Sequence, residues 1–370
     1  FDITPEYDLD IMQANQDLYD VTSRVLLGLR DIIKDFQPDL LLVHGDTTTC
    51  FASALAAFYQ QVKIGHIEAG LRTGNLAAPF PEEANRSLVG KIADMHFAPT
   101  ETAKQNLLNE GVKRDNILVT GNTVIDALLT VRKSLQSKEP SQWSPKLPES
   151  AISAVKHRQS KFILVTGHRR ENFGHGFISL CEALKEIAIT HPNWLLIYPV
   201  HLNPNVQKPV HDILGQVSNI QLIPPQDYFP FVWLLDQCDL VITDSGGIQE
   251  EAPSLGKPVL VTRDVTERPE AVSAGTVKLV GTSKNKIVST ALNILENEER
   301  RRSADVAGCF GEKAEVERQD RLEELAGDAE RLGKVARRVD AVDRFEERQH
   351  RRRVVLDGVL AAALAAVPLR

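Results

Sequence analysis

Residues 239–270 read DLVITDSGGIQEEAPSLGKPVLVTRDVTERPE, and their pattern decides the fold. The apolar run Leu240-Val241-Ile242 predicts a short buried strand. The pattern breaks at Asp244-Ser245-Gly246-Gly247, and helical spacing takes over from Ile248 to Leu255. Gly256 stops that helix, and residues 258–261 read as a second strand. Strand, glycine turn, helix and strand make a βαβ unit. A Ser-Gly-Gly turn at a helix start leaves backbone N–H groups without intrahelical partners above the strand end. With the helix dipole, these donors form an anion site, most often for phosphate. Glu250 and Glu251 stand one turn further in, where an anion alone would not call for them. Carboxylates beside a phosphate cradle imply hydroxyl groups to be held as well, as on a ribose. The ligand class this implies is a nucleotide or nucleotide-sugar.

The same grammar recurs outward from this unit. Upstream, strands at 39–43, 62–67, 95–98 and 117–119 alternate with helices at 50–60 and 100–109. Nearer the unit, strands at 161–166, 194–199 and 220–222 alternate with helices at 176–190 and 231–237. This predicts an α/β chain of two Rossmann-like, doubly wound domains facing across a cleft. The N-terminal domain is expected at 1–120 and the ligand-binding domain at 121–302. An atypical charged helical tail is expected at 303–370. Residues 133–160, with prolines at 140, 145 and 148, read as the surface connection between the halves. In such sheets ligands bind beyond the carboxyl ends of the strands. Asp46, Glu68, Arg72, His168, Arg169, Arg170, His201, Asp244 and Ser245 all fall there.

Composition removes whole classes of function. At 370 residues the chain can hold two full cores, and its 42% hydrophobic and 25% charged residues are those of a soluble globular protein. A net charge of −7 gives no footprint for nucleic acid or an anionic membrane. Cys50, Cys181, Cys238 and Cys309 lie far apart with no metal-ligand rhythm, as expected of small core residues in a reducing cytosol. No secretory signal opens the sequence. H-E-x-x-H, Walker and G-x-G-x-x-G motifs do not occur, so metal hydrolysis, P-loop chemistry and nicotinamide redox chemistry lack support.

Single residues carry a structural reading beside the functional one. Asp46 could simply cap the helix that follows it. Glu68 ends a strand where no cap is needed, which favours a functional role. Glu82 and Glu83 open a helix, where acids usually complement the dipole. His168, in Gly-His-Arg-Arg-Glu-Asn, sits between cations and suits an anion or acid–base site, and the Arg169-Arg170 pair suits phosphate. Ser245 lacks a G-x-S-x-G elbow and reads as a diphosphate donor, not a nucleophile. His66, His96 and His191 read as structural or exposed. Carboxylates opposite a diphosphate cradle are what deprotonation at a sugar carbon, or an oxocarbenium-like centre, requires.

With these residues in place, the chain closely resembles the bacterial non-hydrolysing UDP-N-acetylglucosamine 2-epimerases, which share a GT-B fold with many glycosyltransferases. The matching runs include VHGDTTT (43–49), IEAGLRTG (67–74), PEEANR (81–86), TGNTVIDALL (120–129), VTGHRREN (165–172), PVHLNPNV (199–206), PQDYFPFVWLL (225–235) and TDSGGIQEEAPSLGKPVLV (243–261). The resemblance implies interconversion of UDP-GlcNAc and UDP-ManNAc by elimination and re-addition of UDP through a glycal, without cofactor or metal, in a cytoplasmic homodimer. It implies catalytic roles for Asp46, Glu68, Glu82 and His168. It also implies uracil contacts from Gln226 and Phe231, diphosphate contacts from Ser245, Gly246 and Gly247, ribose contact from Glu251, and a UDP contact from Arg268. His201, Arg169 and Arg170 are candidates for a second, activating UDP-GlcNAc. The family's opening strand and G-T-R-P-E loop do not occur in this sequence, so the first sheet is expected to carry an unpaired apolar edge. Beyond about residue 302 the resemblance ends. From 311 to 370 there is no Ser, Thr, Asn, Ile or Tyr, as if from a shifted frame or a fusion, and the closing apolar run is too short for a membrane span. Two other readings stay open: a non-catalytic UDP-sugar-binding remnant, and a GT-B glycosyltransferase.

Overall fold

The computed structural model describes residues 4–13, 15–136, 147–158, 160–167 and 173–296. The sequence-predicted tail at 303–370 lies outside them, as do His168, Arg169 and Arg170.

The first half runs α1 (Leu18–Phe36), β1 (Leu40–His44), α2 (Thr48–Tyr59), β2 (Lys63–Ile67), α3 (Glu82–Ile92), β3 (Met95–Ala98), α4 (Glu101–Asn109) and β4 (Ile117–Val119). The second begins with α5 (Thr123–Leu135), α6 (Glu149–Lys156), β5 (Phe162–Thr166), α7 (His175–Thr190), β6 (Leu195–Pro199) and α8 (Pro204–Leu214). It continues with β7 (Ile220–Ile223), α9 (Tyr228–Gln237), β8 (Leu240–Thr243) and α10 (Ile248–Ser254). Last come β9 (Val259–Val261), α11 (Pro269–Ser273), β10 (Val277–Leu279) and α12 (Lys284–Glu296).

The strands form two parallel sheets, ordered β1-β2-β3-β4 and β10-β9-β8-β5-β6-β7. This is the doubly wound pattern read from the alternation, in the GT-B arrangement of two α/β sheets. β8 is buried along its whole length and β5 along all but its last residue, which is why both read as unbroken apolar runs. One core lies between the six-stranded sheet and α7, α8 and α12, with Phe177, Leu184, Val206, Val210 and Ile287 at its centre. The opposite face is covered by α5, α6, α9 and α10 through Leu128, Val131, Ile152, Val232 and Ala252. Among the described residues β1 pairs with β2 alone.

The sequence reading did not name α5, α8, α11, β10 or α12, and two further differences are instructive. α1 was not foreseen, yet it opens on a reciprocal capping box: Asp17 and Asp20 each accept the other's backbone N–H at 3.0 Å. Its face carries Val25 and Ile33 into the protein interior, Ile33 joining the core on α2. The 133–160 stretch is not simply a surface connection. The chain leaves β4 and enters α5 within residues 120–122, and α5 packs on the six-stranded sheet through Leu128, Val131 and Leu135. α6 then buries Ala151, Ile152 and Val155 in the same core. Prolines and serines around 140–148 masked this short helical stripe. Among the described residues, no helix is long and apolar enough to cross a membrane.

Candidate active site

The β1 and β2 ends set two carboxylates side by side. Gly45 takes φ 72°, a left-handed turn that glycine adopts without strain, and Asp46 follows it, half-buried. A Cβ on Gly45 would stand 3.2 Å from Glu68 Oε2. Glu68 itself adopts φ 64°, a left-handed conformation for a non-glycine residue directly after β2. Such strain costs about 1–3 kcal/mol and persists where the surroundings impose it. Asp46 is held from α3: Arg86 Nη2 reaches Asp46 Oδ2 at 2.7 Å, and Asn85 Nδ2 donates to the Asp46 carbonyl at 2.9 Å. Both Arg86 and Glu83 are buried, and they pair at 3.4 Å. Glu83 also accepts the N–H groups of Thr73 and Gly74 at 2.9 and 3.0 Å, tying down the loop after β2. Glu82, the first residue of α3, is half-buried at the same sheet end.

The other wall is the loop after β9, where Arg268 is the hub. Its guanidinium pairs with Glu250, Glu267 and Glu68, the last at 3.0 Å. Glu68 and Arg268 belong to different sheets, so this ion pair closes the cleft. Arg263 Nη2 holds the far oxygen of Glu267 at 3.1 Å. Burial would raise the Glu267 carboxyl, but Arg268, Arg263 and Arg86 together hold it down at about 2. Glu68 moves the opposite way. Burial pushes it above the ordinary carboxylate range, with Glu250 and Asp46 adding to the push and Arg268 opposing it. Of this group, Glu68 is therefore the carboxyl suited to exchange a proton.

The Ser-Gly-Gly turn has the expected geometry. Ser245 N–H is satisfied by Thr243 Oγ1 at 2.9 Å, and the Gln249, Glu250 and Glu251 N–H groups by the carbonyls of Gly246 and Gly247. The N–H groups of Gly246, Gly247 and Ile248 have no partner among the described residues. Glycine at 246 leaves room for the Glu267–Arg268 pair, since a Cβ there would lie 2.6 Å from Glu267 Oε1 and 2.9 Å from Arg268 Nη1. Gln249 bolts the two loops together: its Oε1 accepts from Thr266 Oγ1 at 2.6 Å, and Thr266 Oγ1 accepts the Arg268 N–H at 3.1 Å.

Glu251 is buried in the first turn of α10 and accepts the Tyr228 hydroxyl at 2.9 Å. Burial pushes its carboxyl up, with the Tyr228 hydrogen bond opposing. That contact brings the start of α9 against α10. Phe231, three residues after Tyr228 and so on the same helix face, packs partly buried on the core. Gln226 lies in the β7–α9 loop, its Nε2 donating to the Pro224 carbonyl at 2.7 Å. His201 is exposed after β6, and its Nδ1 accepts the Asn203 N–H at 3.1 Å, a local turn role. Arg72, also placed at a strand end, is committed to a two-pronged pair with Glu110 at 2.6 and 3.0 Å. His66 and His96 are buried, as read, and Cys50, Cys181 and Cys238 are buried free thiols. Asn122, Glu83, Arg86 and Glu267 escaped the sequence reading as site residues, and Glu250 was read only as a hydroxyl-holding carboxylate beside Glu251, not as a partner of Arg268 and Asn122.

The family profile described as UDP-N-acetylglucosamine 2-epimerase matches residues 1–318. The UDP-N-acetylglucosamine 2-epimerase of Escherichia coli K12 is 58% identical over 298 residues, which is 80% of this chain and 78% of that protein. The solved UDP-GlcNAc 2-epimerase of Neisseria meningitidis, bound to UDP-GlcNAc, superposes with a TM-score of 0.75 at 48% identity. That match covers 82% of this chain and 80% of the Neisseria chain. The Methanocaldococcus jannaschii enzyme, in complex with UDP-GlcNAc and UDP, does so at 0.70 and 33%, covering 82% of this chain and 83% of its own. The chain belongs to the UDP-N-acetylglucosamine 2-epimerase family.

Proposed function

We propose that this chain interconverts UDP-GlcNAc and UDP-ManNAc by eliminating and re-adding UDP. One observation carries the reading: Arg268 joins Glu68, a carboxyl with a raised pKa, to the Ser-Gly-Gly turn, whose Gly246, Gly247 and Ile248 N–H groups have no partner among the described residues. In the proposed chemistry a carboxylate takes the C2 proton while the C1–O bond to UDP breaks, leaving a C1=C2 glycal. UDP then adds back at C1 as C2 receives a proton on its other face. Asp46, Glu68, Glu82 and His168 are the proposed acid–base groups. Elimination places negative charge on the departing diphosphate, where Ser245, Gly246 and Gly247 would offer hydrogen bonds and a helix start. Glu251 would hold the ribose, Gln226 and Phe231 the uracil, and Arg268 would turn to the UDP when it binds. The chemistry calls for no metal or nicotinamide. Family resemblance supports a cytoplasmic homodimer that supplies a cell-surface polysaccharide pathway, with His201, Arg169 and Arg170 near a second, activating UDP-GlcNAc.

The test is direct. Purified chain incubated with UDP-GlcNAc should yield UDP-ManNAc, resolved by proton NMR of the anomeric signals. Release of free ManNAc and UDP, transfer of the sugar to an acceptor, or binding of UDP with no turnover would each overturn the proposal.

A further inference from the structure

Asn122 occupies the crossover where the chain leaves β4 and enters α5. Its side-chain amide is fully committed. Oδ1 accepts the Val124 N–H at 3.2 Å, capping α5, and this fixes which way the amide faces. Nδ2 then donates to Glu68 Oε1 at 3.1 Å and to Glu250 Oε2 at 2.7 Å. α5 is embedded in the core of the six-stranded sheet, and Glu250 sits in the first turn of α10 beside the diphosphate cradle. Glu68 belongs to the other sheet. One amide thus joins the proposed acid–base carboxylate to the cradle helix. We infer that Asn122 is a positioning residue, its amide holding the Glu68 carboxylate in register with the diphosphate cradle through the bridge to Glu250.

The inference rests on the epimerase reading for what Glu68 does, but the clamp itself can be tested apart from it. A plain helix cap is the competing role, and the two part company in Asn122→Asp. Aspartate has the same shape, accepts the Val124 N–H as well as asparagine does, and suits a helix start better. As an ionised carboxylate it donates nothing, and it adds a charge beside Glu68 and Glu250. Among the described residues, the groups facing Glu68 are Arg268, Glu250, Asp46, His44 and Glu251, so Arg268 would be the one full-time cation there against a further acid.

In Asn122→Asp, kcat should fall at least about tenfold while KM for UDP-GlcNAc stays within about threefold, as expected when a transition-state arrangement is lost and not uniform binding. The limb of the pH–rate profile set by Glu68 should move up by about one unit, because a like charge disfavours ionisation. Thermal melts give a readout independent of turnover. At neutral pH Asn122→Asp should melt below the wild type, and the gap should close as acidification protonates the introduced carboxylate and restores a donor. A cap-only role predicts the reverse, with aspartate at least as stable at neutral pH. That melting result, or wild-type kcat with an unmoved pH profile, would overturn the inference. A wild type that fails to epimerise while the pair shows the expected melting gap would sink the epimerase reading and leave the clamp standing.

Discussion

Arg268 Nη2 stands 3.0 Å from Glu68 Oε1, joining two residues 200 positions apart whose loops belong to different sheets. The same guanidinium serves Glu250 and Glu267, so three buried or nearly buried carboxylates share one cation, with Arg263 assisting at Glu267 alone. The surplus of negative charge and the loss of water together explain why Glu68 holds its proton more tightly than an ordinary glutamate.

Arg268→Met should be costly to folding. It leaves three acids around a missing cation, and breaking a buried pair in this way costs about 3–5 kcal/mol. Urea unfolding should show that loss. Arg268→Lys keeps the charge but cannot fork to three partners, so kcat/KM should fall about a hundredfold while stability drops less. A methionine variant as stable as the wild type would show that the pairs contribute nothing.

Glu68→Gln should remove proton exchange while preserving shape. Loss of one acid–base group costs about 10²- to 10⁴-fold in kcat. Affinity for UDP, read by calorimetry, should stay within a few-fold, since Glu68 is assigned to the sugar and not to the nucleotide. Retained turnover would remove Glu68 from the chemistry.

Gly246→Ala should report on the cradle. Its methyl would sit 2.6 Å from Glu267 Oε1 and 2.9 Å from Arg268 Nη1, so the paired Glu267 and Arg268 side chains must shift. UDP affinity should fall about tenfold or more, roughly 1.4 kcal/mol, with far-UV circular dichroism unchanged. Unaltered affinity would place the diphosphate elsewhere.

His66 gives a pH prediction. Its Nε2–H donates to the Gly45 carbonyl at 2.8 Å, and its Nδ1 has no partner among the described residues. Burial holds it down at about 3, with the Gly45 hydrogen bond opposing. The folded state keeps the ring neutral while the unfolded chain takes a proton below about 6.5. Stability from this residue is therefore complete above about pH 6.5 and lost progressively as pH falls toward 3, about 2 kcal/mol by about pH 5. His66→Gln, which can still donate to Gly45, should flatten the fall in melting temperature between about pH 7 and about pH 5. An unchanged slope would assign the acid sensitivity to other groups.

Much of this was legible in the chain because parallel sheets write themselves as buried runs followed by polar loops. The β8–α10–β9 unit is of that kind, and so are Asp46 and Glu68, each a titratable residue placed just past an apolar run. Asn122 was not legible, because an asparagine before a helix looks like a cap and is one; its second task depends on Glu68 and Glu250, 54 and 128 residues away. Glu82 and Glu83 are adjacent in sequence, yet only Glu83 pins the Thr73–Gly74 loop, while Glu82 is the one proposed for catalysis. No periodicity separates them. The helix α6 was hidden for a plainer reason: three apolar residues in a proline- and serine-rich stretch are too weak a stripe to outweigh their surroundings.

The central claim is that UDP leaves and returns while C2 loses and regains a proton inside this cleft. The most direct measurement is incubation with UDP-GlcNAc in heavy water, followed by proton NMR and mass spectrometry of both sugar nucleotides. UDP-ManNAc should carry one solvent deuterium at C2, with deuterium also appearing at C2 of the remaining UDP-GlcNAc and none incorporated by the Glu68→Gln variant. Epimer formed without deuterium, or no epimer at all, would contradict the claim.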